Sequence, residues 1–234
     1  MNIPKKSRAI IIGGGVSGCS VAYHLAKLGW KDVILLERKK LTSGTTWHAA
    51  GLIGQLRNSQ NMTRLAKYSA DLYVNLSNET GIETGMRQTG SITVALTGSR
   101  NEELKRQAAL ARAFNVEVHE ISPQEIKEKY PILNTDDIIS GVFLPKDGQA
   151  DPANIALALA KGARNMGVQI FENIKVEDVI INDDHAKGVQ YSLENGETET
   201  IFSDVVVNCA GMWARELGLK SGVKIPLHAC EHFY

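Results

Sequence analysis

The chain has 234 residues, 43% of them hydrophobic and 6% aromatic, a composition typical of a soluble globular protein with one large or two small domains. Its 26 Lys and Arg residues balance 26 Asp and Glu residues, so the formal net charge of zero gives no electrostatic reason to expect nucleic acid or an anionic membrane as a partner. No apolar run approaches the ~20 residues of a membrane span, and the short basic N-terminus lacks the pattern of a signal peptide.

The first predicted elements are a strand, a glycine turn, a helix and a second strand. The apolar run 9–12 is typical of a short buried strand, 16–28 has helical spacing of apolar residues, and 33–36 indicates a second buried strand. Gly29 is expected to end the helix. These elements fit the size of a βαβ unit.

The turn of this unit carries a dinucleotide-binding fingerprint, Gly13-x-Gly15-x-x-Gly18. The first glycine permits a tight turn, the second lets the backbone approach a pyrophosphate, and the third lets helix and strand pack closely. Glu37 ends the second strand at the position where a carboxylate accepts hydrogen bonds from ribose hydroxyls. We therefore predict a nucleotide site, and the acid disfavours a 2′-phosphate.

A loop and an amphipathic helix are predicted next. The stretch 41–54 is rich in small residues and has no clear hydrophobic period, so it is predicted to be a loop packed against another part of the protein. The next apolar stripe predicts an amphipathic helix, ending near Gly81, whose stripe packs into the core; its members are Met62, Leu65, Ser69, Leu72 and Leu76.

The middle block differs from the first unit and predicts a second lobe. Strands are expected at 90–96, 116–121 and 136–147, and a helix at 102–114. Ser122, Pro123 and Glu125 have the spacing of a helix start with a capping box.

The last third of the chain predicts a helix and then a meander. Asp151-Pro152 is a helix start, and the helix is expected to run to Met166. The expected strands are 168–171, 176–181, 188–193, 198–202 and 205–207, with a hairpin turn at Asn195-Gly196. Because 225–234 also has the pattern of a strand, we expect the chain to be truncated at its C-terminus.

Together these elements predict an α/β fold: a Rossmann-like FAD-binding domain, with a parallel sheet plus a β-meander, and an inserted α+β substrate lobe. The predicted FAD-binding domain comprises 1–85 and 148–224, and the partial substrate-binding lobe comprises 86–147 and 225–234. The fingerprint alone does not distinguish FAD from NAD. A Rossmann unit interrupted by a second lobe, with a meander and a return strand, favours FAD.

Cysteine usage favours a reducing compartment. Cys19, Cys209 and Cys230 are odd in number and far apart, so we expect reduced, buried thiols of an intracellular protein. No metal site is predicted.

Three stretches carry a family resemblance: 11–20, 42–52 and 205–213. They resemble the D-amino-acid-oxidase-like FAD oxidoreductases, in the branch of the dimethylglycine and sarcosine dehydrogenases. The resemblance covers essentially the whole chain, and the string Gly44-Thr45-Thr46-Trp47-His48-Ala49-Ala50-Gly51 is its most specific part.

The resemblance implies FAD as the cofactor and a set of residues that hold it. Thr45 and Thr46 would lie along the pyrophosphate and flavin, Val176 would meet the adenine, and the turn at 210–213 would face the cofactor. The full set of implied cofactor residues is Gly13, Gly15, Val16, Ser17, Gly18, Glu37, Arg38, Gly44, Thr45, Thr46, His48, Ala49, Leu52, Val176, Ala210, Gly211 and Trp213.

His48 matches the histidine that, in this branch, bonds to the flavin 8α-methyl carbon. A neutral imidazole is nucleophilic near physiological pH, so the chemistry suits the position. The alternative is a polar residue that lines the loop without bonding.

The resemblance also implies a reaction, oxidation of the C–N bond of a secondary or tertiary amine by hydride transfer to flavin N5. Arg57 could pair with a substrate carboxylate or form a surface salt bridge. His232 and Tyr234 could orient the amine or take its proton. The implied partners are a small N-methylated amine or amino acid and an electron-transfer flavoprotein, with oxygen as the other acceptor.

Two other functions stay open. A non-catalytic FAD-binding regulatory subunit would keep the fold, and an NAD-dependent dehydrogenase would use the same fingerprint. The expected location is the cytoplasm, or the mitochondrial matrix if the protein is eukaryotic.

Overall fold

The computed structural model describes residues 3–193 and 195–231. In chain order its elements are β1 (Lys6–Ile12), α1 (Val16–Lys27), β2 (Val33–Glu37), β3 (Leu52–Ile53), α2 (Gln60–Thr80), β4 (Ser91–Ala95), α3 (Gly98–Ala113), β5 (His119–Ile121), α4 (Pro123–Lys129), β6 (Ser140–Leu144), β7 (Gly148–Gln149), α5 (Pro152–Asn165), β8 (Gln169–Glu172), β9 (Lys175–Asn182), β10 (His185–Ser192), β11 (Thr198–Asn208) and α6 (Ala214–Lys220). Short 3₁₀ turns occupy Thr46–His48 and Gly211–Trp213. No helix among the described residues has the length and apolar character needed to span a bilayer.

The chain divides into two compact units. Unit 1 comprises 3–50, Leu76–Thr84 and the described residues from Asp151 onward, and unit 2 comprises Gly51–Asn75 and Gly85–Ala150. The predicted domain boundaries differ from this division at 51–75, 85 and 148–150, which had been placed in the FAD-binding domain, and at 225–231, which had been placed in the other lobe. The domain assignment by function stays a prediction.

Unit 1 is built on a six-stranded sheet with the order β8-β2-β1-β11-β10-β9. The first four strands are parallel, and β10 and β9 continue the sheet in antiparallel pairing. All five residues of β2 are buried, as a parallel strand flanked on both sides requires. The predicted α/β fold with a parallel sheet and a meander is confirmed.

The helix ends in unit 1 follow the local sequence. Asp151 caps α5, because its Oδ1 accepts hydrogen bonds from the backbone N–H groups of Ala153 and Asn154 at 2.9 and 3.0 Å. Gly29 has φ +84 just past α1, as a helix-ending glycine requires. A side chain at Gly162 would meet the buried Tyr23 ring at 2.9 Å, which is how α5 packs closely on α1.

Unit 2 is an α+β unit. Its three-stranded antiparallel sheet has the order β4-β6-β5, and β3 pairs separately with β7. The predicted capping box starts α4: Ser122 Oγ accepts from the Glu125 N–H, and the Glu125 carboxylate accepts from the Ser122 N–H.

Several expectations were wrong. The predicted strands at 198–202 and 205–207 are one strand, β11, because Ser203 is buried and pairs in register with Ser7 of β1. The described part of the predicted last strand, 225–231, has no regular secondary structure. Cys230 is exposed rather than buried.

The stripe of α2 was also misjudged. Leu76 is fully buried, but Met62 and Leu65 are 53% and 57% exposed, so the first half of the stripe does not pack into a core. Periodicity identifies the apolar side of a helix, and it does not show how much of that side another element covers.

Candidate nucleotide site

An open cleft lies in unit 1 where the parallel strands β1, β2 and β11 end. Ligands of open α/β sheets bind at this edge, outside the carboxyl ends of the strands. The lining comes from the glycine turn, the end of β2, the 43–46 loop, the start of β9, the turn after β11, and α6.

Two of the fingerprint glycines are fixed by the packing of the turn. Gly13 has φ +109, and a Cβ there would lie 2.3 Å from the Cys209 carbonyl oxygen. A Cβ on Gly18 would lie 1.8 Å from the Gly13 carbonyl oxygen. Any side chain at either position displaces backbone, so the turn excludes every residue but glycine here.

Glu37 fastens this turn to the end of β2. Its Oε2 accepts a hydrogen bond from the Gly14 N–H at 2.6 Å, and its Oε1 accepts from the Lys39 N–H at 2.8 Å. Glu37 is 9% exposed and lines the cleft. An ionised carboxylate accepts about four hydrogen bonds, so acceptor capacity remains for a ribose hydroxyl.

Thr46 fastens the 43–46 loop to the start of α1. Its buried Oγ1 accepts a hydrogen bond from the Val16 N–H at 2.9 Å. Gly15, the residue before α1, has no side chain to cap the helix, so Thr46 caps it from 30 residues away. A Cβ on Gly15 would lie 2.9 Å from the same Oγ1, which is why that position also suits glycine.

The turn after β11 forms the other side of the cleft. The guanidinium carbon of Arg38 lies 3.7 Å from the centre of the Trp213 ring, a cation–π contact. A Cβ on Gly44 would contact the edge of the same ring at 3.7 Å. Arg38, Gly44 and Trp213 all line the cleft.

Most of the predicted cofactor residues therefore come together. Those lining the cleft are Gly13, Gly15, Glu37, Arg38, Gly44, Thr45, Thr46, Val176, Ala210, Gly211 and Trp213. Val16, Ser17 and Gly18 lie in the first turn of α1 behind the lining. Their roles toward a cofactor stay predictions.

His48 and Ala49 are exposed, in and just after the 3₁₀ turn that Thr46 begins. The His48 ring lies against Trp47, with ring centres 3.9 Å apart. Neither His48 nor Ala49 lines the cleft, so the covalent role of His48 stays a prediction.

Leu52 and Arg57 belong to unit 2. Leu52 is 78% exposed in β3. Arg57 is exposed, its Nη1 donates a hydrogen bond to the Leu56 carbonyl oxygen at 2.8 Å, and no carboxylate of the described residues lies within ion-pair distance. The salt-bridge alternative for Arg57 therefore finds no partner in this part of the chain. His232 and Tyr234 lie outside the described residues.

Buried oxygens fix the backbone around Arg57. The Gln55 N–H donates to Asp147 Oδ1 at 2.8 Å, and the Arg57 N–H donates to Thr63 Oγ1 at 3.0 Å. Thr63 Oγ1 donates in turn to the Arg57 carbonyl oxygen at 3.1 Å. Asp147 and Thr63 are 7% and 0% exposed, and the sequence prediction assigned neither a role.

Sequence reasoning also missed part of the cleft lining. Ile174, Glu216, Leu217 and Lys220 belong to it. Leu217 and Lys220 lie three residues apart on α6, and this short helix was not predicted. Gly14 was missed as a functional glycine, although a third consecutive glycine is one more than the fingerprint needs; a Cβ there would lie 2.9 Å from Glu37 Cβ.

Three ionisable groups in or near the cleft have shifted pKa values. Burial raises the pKa of the Cys19 thiol to about 12 and also raises the pKa of the Cys209 thiol. Both are therefore held protonated and are poor nucleophiles. The pKa of Glu177 is lowered, mainly by the hydrogen bond from Lys175 and then by that from Ser192.

These residues fit a dinucleotide cofactor. The start of α1 offers backbone N–H groups and a positive dipole end to a pyrophosphate, and within the described residues no acceptor contacts the Gly15 N–H. Glu37 suits a ribose, and it lies on the wall of the same cleft as the glycine turn. Among residues 3–193 and 195–231, no group of three or more His, Cys, Asp or Glu side chains is arranged to hold a metal ion.

Comparisons with known proteins identify the family of this chain. The family model described as "DAO: FAD dependent oxidoreductase" matches residues 8–234. The chain is 42% identical to the mitochondrial pyruvate dehydrogenase phosphatase regulatory subunit of Mus musculus, over 99% of this chain and 26% of that protein. It is 40% identical to the mitochondrial sarcosine dehydrogenase of Mus musculus, over 99% of this chain and 25% of that protein.

A third relative is the mitochondrial dimethylglycine dehydrogenase of Rattus norvegicus, 39% identical over 98% of this chain and 26% of that protein. Among solved structures, the L-proline dehydrogenase of P. horikoshii superposes with a TM-score of 0.87 and 31% identity, covering 95% of this chain and 57% of that one. The chain thus spans about a quarter of the length of the curated relatives it matches.

Proposed function

The chain belongs to the DAO family of FAD-dependent oxidoreductases, and from this membership we propose that it forms the FAD-binding part of an enzyme that oxidises the C–N bond of a secondary or tertiary amine. Dimethylglycine and sarcosine are the proposed substrates, in keeping with the names of two relatives. The observation that carries the proposal is the cleft at the ends of β1, β2 and β11, with the glycine turn, the start of α1 and Glu37 on its wall.

The residues of the cleft have separable tasks in this proposal. The α1 N-terminus binds the pyrophosphate through backbone N–H groups. Glu37 accepts from the ribose while it holds Gly14 in place. Thr46 holds the loop that carries Thr45 and His48 against the start of α1. When bound, the flavin supplies the two-electron acceptor for oxidation of the carbon beside the amine nitrogen.

Arg57 is the proposed partner of a substrate carboxylate. Its backbone is held at both its N–H and its carbonyl oxygen by the buried Thr63 hydroxyl, and the neighbouring Gln55 N–H is held by Asp147. The fixed backbone positions the Arg57 guanidinium, and no carboxylate of the described residues lies within ion-pair distance of it. A guanidinium binds a carboxylate through two parallel hydrogen bonds.

Covalent attachment of the flavin through His48 is part of the proposal. His48 is exposed, so its imidazole is accessible to a ligand, and its turn begins at the anchored Thr46. The thiols of Cys19 and Cys209 have raised pKa values, are held protonated and do not compete as nucleophiles. The proposed electron acceptor is an electron-transfer flavoprotein or oxygen, and the proposed location is the cytoplasm or, in a eukaryote, the mitochondrial matrix.

A second function has support of its own. The relative with 42% identity is a regulatory subunit, so the fold also occurs in a protein whose name states no oxidation. A non-catalytic FAD-binding regulatory subunit would use the same cleft. An NAD-dependent dehydrogenase is the third candidate, and it predicts a colourless protein.

One experiment separates the three. The purified protein is mixed anaerobically with sarcosine or dimethylglycine while the flavin absorbance is followed. We expect a yellow protein that each amine bleaches. A yellow protein that no N-methylated glycine bleaches would support the regulatory subunit, and a colourless protein that binds NAD would contradict FAD binding.

The same preparation tests His48. After acid precipitation, we expect the yellow colour in the pellet for the native protein and for His185→Ala, which changes an exposed histidine at the start of β10, and in the supernatant for His48→Ala. Colour in the supernatant of the native protein would refute covalent attachment. Colour in the pellet of His48→Ala would refute the residue assignment.

A further inference from the structure

The connection between β10 and β11 contains an Asn-Gly pair that the nucleotide cleft does not use. In this sequence one asparagine, Asn195, is directly followed by glycine. Asn195 and Gly196 are both exposed, and a Cβ built on Gly196 would meet no atom of the described residues within 4 Å. A side chain after an asparagine shields the backbone nitrogen between the two residues, so glycine leaves that nitrogen open to the asparagine side chain.

The Asn195 side chain is folded towards the backbone that follows it. Its Oδ1 accepts a hydrogen bond from the Glu197 N–H at 3.0 Å, and its Nδ2 donates to Glu197 Oε2 at 2.8 Å. The ring that the first bond closes contains the Gly196 nitrogen, as in the turns that asparagine forms with the backbone two residues on. The side-chain carbonyl carbon of Asn195, Cγ, is therefore held close to the Gly196 nitrogen.

The Glu197 N–H also activates this carbon. A nucleophile that adds to Cγ moves negative charge onto Oδ1, and a donor already aimed at that oxygen stabilises the charge. The hydrogen bond from Glu197 thus both holds the amide of Asn195 in place and favours attack on it.

A hydrogen bond of the attacking nitrogen restrains the reaction. The Gly196 N–H donates to the Leu193 carbonyl oxygen at 2.9 Å, and the Leu193 N–H donates to the Glu197 carbonyl oxygen at 2.9 Å. The Gly196 nitrogen attacks only after it has lost its proton and left this bond, so the reaction proceeds when the turn opens. Exposed turns open at a low cost in free energy, and the reaction is therefore slow but not blocked.

We propose that Asn195 is a self-modification site: the Gly196 nitrogen displaces its side-chain amide, and the product opens the end of the β10–β11 hairpin. The Gly196 nitrogen gives up its proton and forms a bond to Cγ, the Cγ–Nδ2 bond breaks, and Nδ2 takes up a proton and leaves as ammonia. Water then opens the resulting succinimide ring on either side of the Gly196 nitrogen. The product is aspartate, or isoaspartate with an extra methylene in the backbone. Water is consumed and ammonia released, so no oxidant or reductant takes part.

The product cannot keep the contacts of the turn. Aspartate replaces the donating Nδ2 by a carboxylate oxygen beside Glu197 Oε2, where the present atoms are 2.8 Å apart, so an attraction becomes a repulsion between two carboxylates. Isoaspartate lengthens the backbone between Leu193 and Glu197 and disrupts their pairing. Since exposed turns are the preferred sites of proteolysis, the modified turn should also be cut more readily.

The first test follows conversion by mass spectrometry of the Asn195 peptide while the purified protein is incubated. We expect the rate to rise about tenfold per pH unit between about pH 6 and 8, because the deprotonated nitrogen is the attacking form and its fraction rises in that proportion. Asn58 is the control within the chain. It is exposed like Asn195, but Ser59 follows it, so it should react at least about tenfold more slowly.

Variants separate the modification from its consequence. Gly196→Ala should slow conversion about tenfold or more, since its side chain shields the nitrogen. Asn195→Asp supplies the product directly, and its Leu193 amide should exchange hydrogen about fivefold faster than in the native protein. Adding Glu197→Gln to Asn195→Asp removes the second charge and should restore exchange to within about twofold of the native rate. Asn58→Asp adds the same charge elsewhere and should leave this exchange unchanged.

Each half of the inference has results that would overturn it. The modification is refuted if Asn195 converts no faster than Asn58, if the rate does not change with pH, or if Gly196→Ala converts as fast as the native protein. The opening of the hairpin is refuted if Asn195→Asp exchanges at the native rate, or if Glu197→Gln does not slow it. These readouts do not involve the cleft, so a protein that binds no FAD or oxidises no amine would overturn the proposed function alone.

Discussion

Two loops of this protein, one in each unit, are held by buried side-chain oxygens. In unit 1, Glu37 and Thr46 accept the N–H groups of Gly14 and Val16 at 2.6 and 2.9 Å. In unit 2, Asp147 and Thr63 accept the N–H groups of Gln55 and Arg57 at 2.8 and 3.0 Å. The two arrangements use the same kind of hydrogen bonds: in each unit, one carboxylate and one threonine hydroxyl accept backbone N–H groups of a loop.

The two units differ in which part of the hydrogen-bonded loop faces the ligand. In unit 1 the fastened backbone itself lines the cleft, so close approach to a ligand demands glycine at several positions. In unit 2 the hydrogen-bonded backbone presents a side chain, Arg57. A Cβ on the adjacent Gly54 would lie 3.3 Å from Arg57 Nη1, so it would require only a small shift of the flexible end of that side chain. A site built from backbone shows in the sequence as a glycine pattern, and a site built from one side chain does not.

The strongest test of this difference is a pair of glycine substitutions. Gly18→Ala places a Cβ 1.8 Å from the Gly13 carbonyl oxygen, so we expect a loss of at least about 3 kcal/mol of stability, or failure to fold, together with loss of FAD. Gly54→Ala meets a movable side chain and should cost less than about 1 kcal/mol. Urea unfolding and bound flavin measure both, and equal losses would contradict the distinction.

The same distinction explains how much the sequence could predict. The turn Gly13–Gly18, the capping box at Ser122 and the cap at Asp151 were all predicted, because each needs particular residues at fixed spacing. Asp147 and Thr63 were not found, because their partners Gln55 and Arg57 offer backbone N–H groups that every residue but proline has, 92 and 6 residues away.

Errors in the predicted elements have the same origin. The buried Ser203 interrupts an apolar run and suggested a break in β11, but its pairing with Ser7 across the parallel strands satisfies the polar atoms: the two hydroxyls lie 3.4 Å apart, and Ser203 Oγ also donates to the Val205 carbonyl oxygen. The exposed first half of α2 shows the reverse case, apolar residues without burial. Tertiary partners decide both, and local patterns do not contain them.

A second test replaces the two threonines by the isosteric valine. Thr63→Val removes two hydrogen bonds at a fully buried position, and we expect a loss of about 2–3 kcal/mol with unchanged FAD affinity. Thr46→Val removes one hydrogen bond at the start of α1, and we expect a loss of about 1 kcal/mol with weaker FAD binding. The larger stability loss and the larger cofactor loss should thus fall on different variants.

Serine variants are the control for this pair. Thr46→Ser and Thr63→Ser keep the hydroxyl, so they should retain most of the native stability and FAD affinity. A loss as large as that of the valine variant would show that the hydroxyl alone does not account for the role of the threonine. If both valine variants lose FAD equally, the hydrogen bonds of Thr46 and Thr63 do not support separate sites.

The smallest expected effect uses the thiols, which occur at Cys19, Cys209 and Cys230 and are absent from unit 2. Burial raises the pKa of Cys19 from 9.0 to about 12, so folding favours the protonated thiol; this stabilises the protein below about pH 9 and is lost as the pH rises towards 12.

At about pH 8 a thiol reagent should therefore label the exposed Cys230 at once and Cys19 only when unit 1 opens, because the thiolate is the reactive form. Cys19 Sγ lies 3.6 Å from the Gly14 carbonyl oxygen, so its labelling reports on the glycine turn itself.

Thr46→Val should speed Cys19 labelling about fivefold, in line with a loss of about 1 kcal/mol, provided that labelling follows local opening. Thr63→Val should change it less, although it costs more stability, because its fastening lies in unit 2. Mass spectrometry of the labelled peptides distinguishes the sites, and faster Cys19 labelling in Thr63→Val than in Thr46→Val would show that the two units open together.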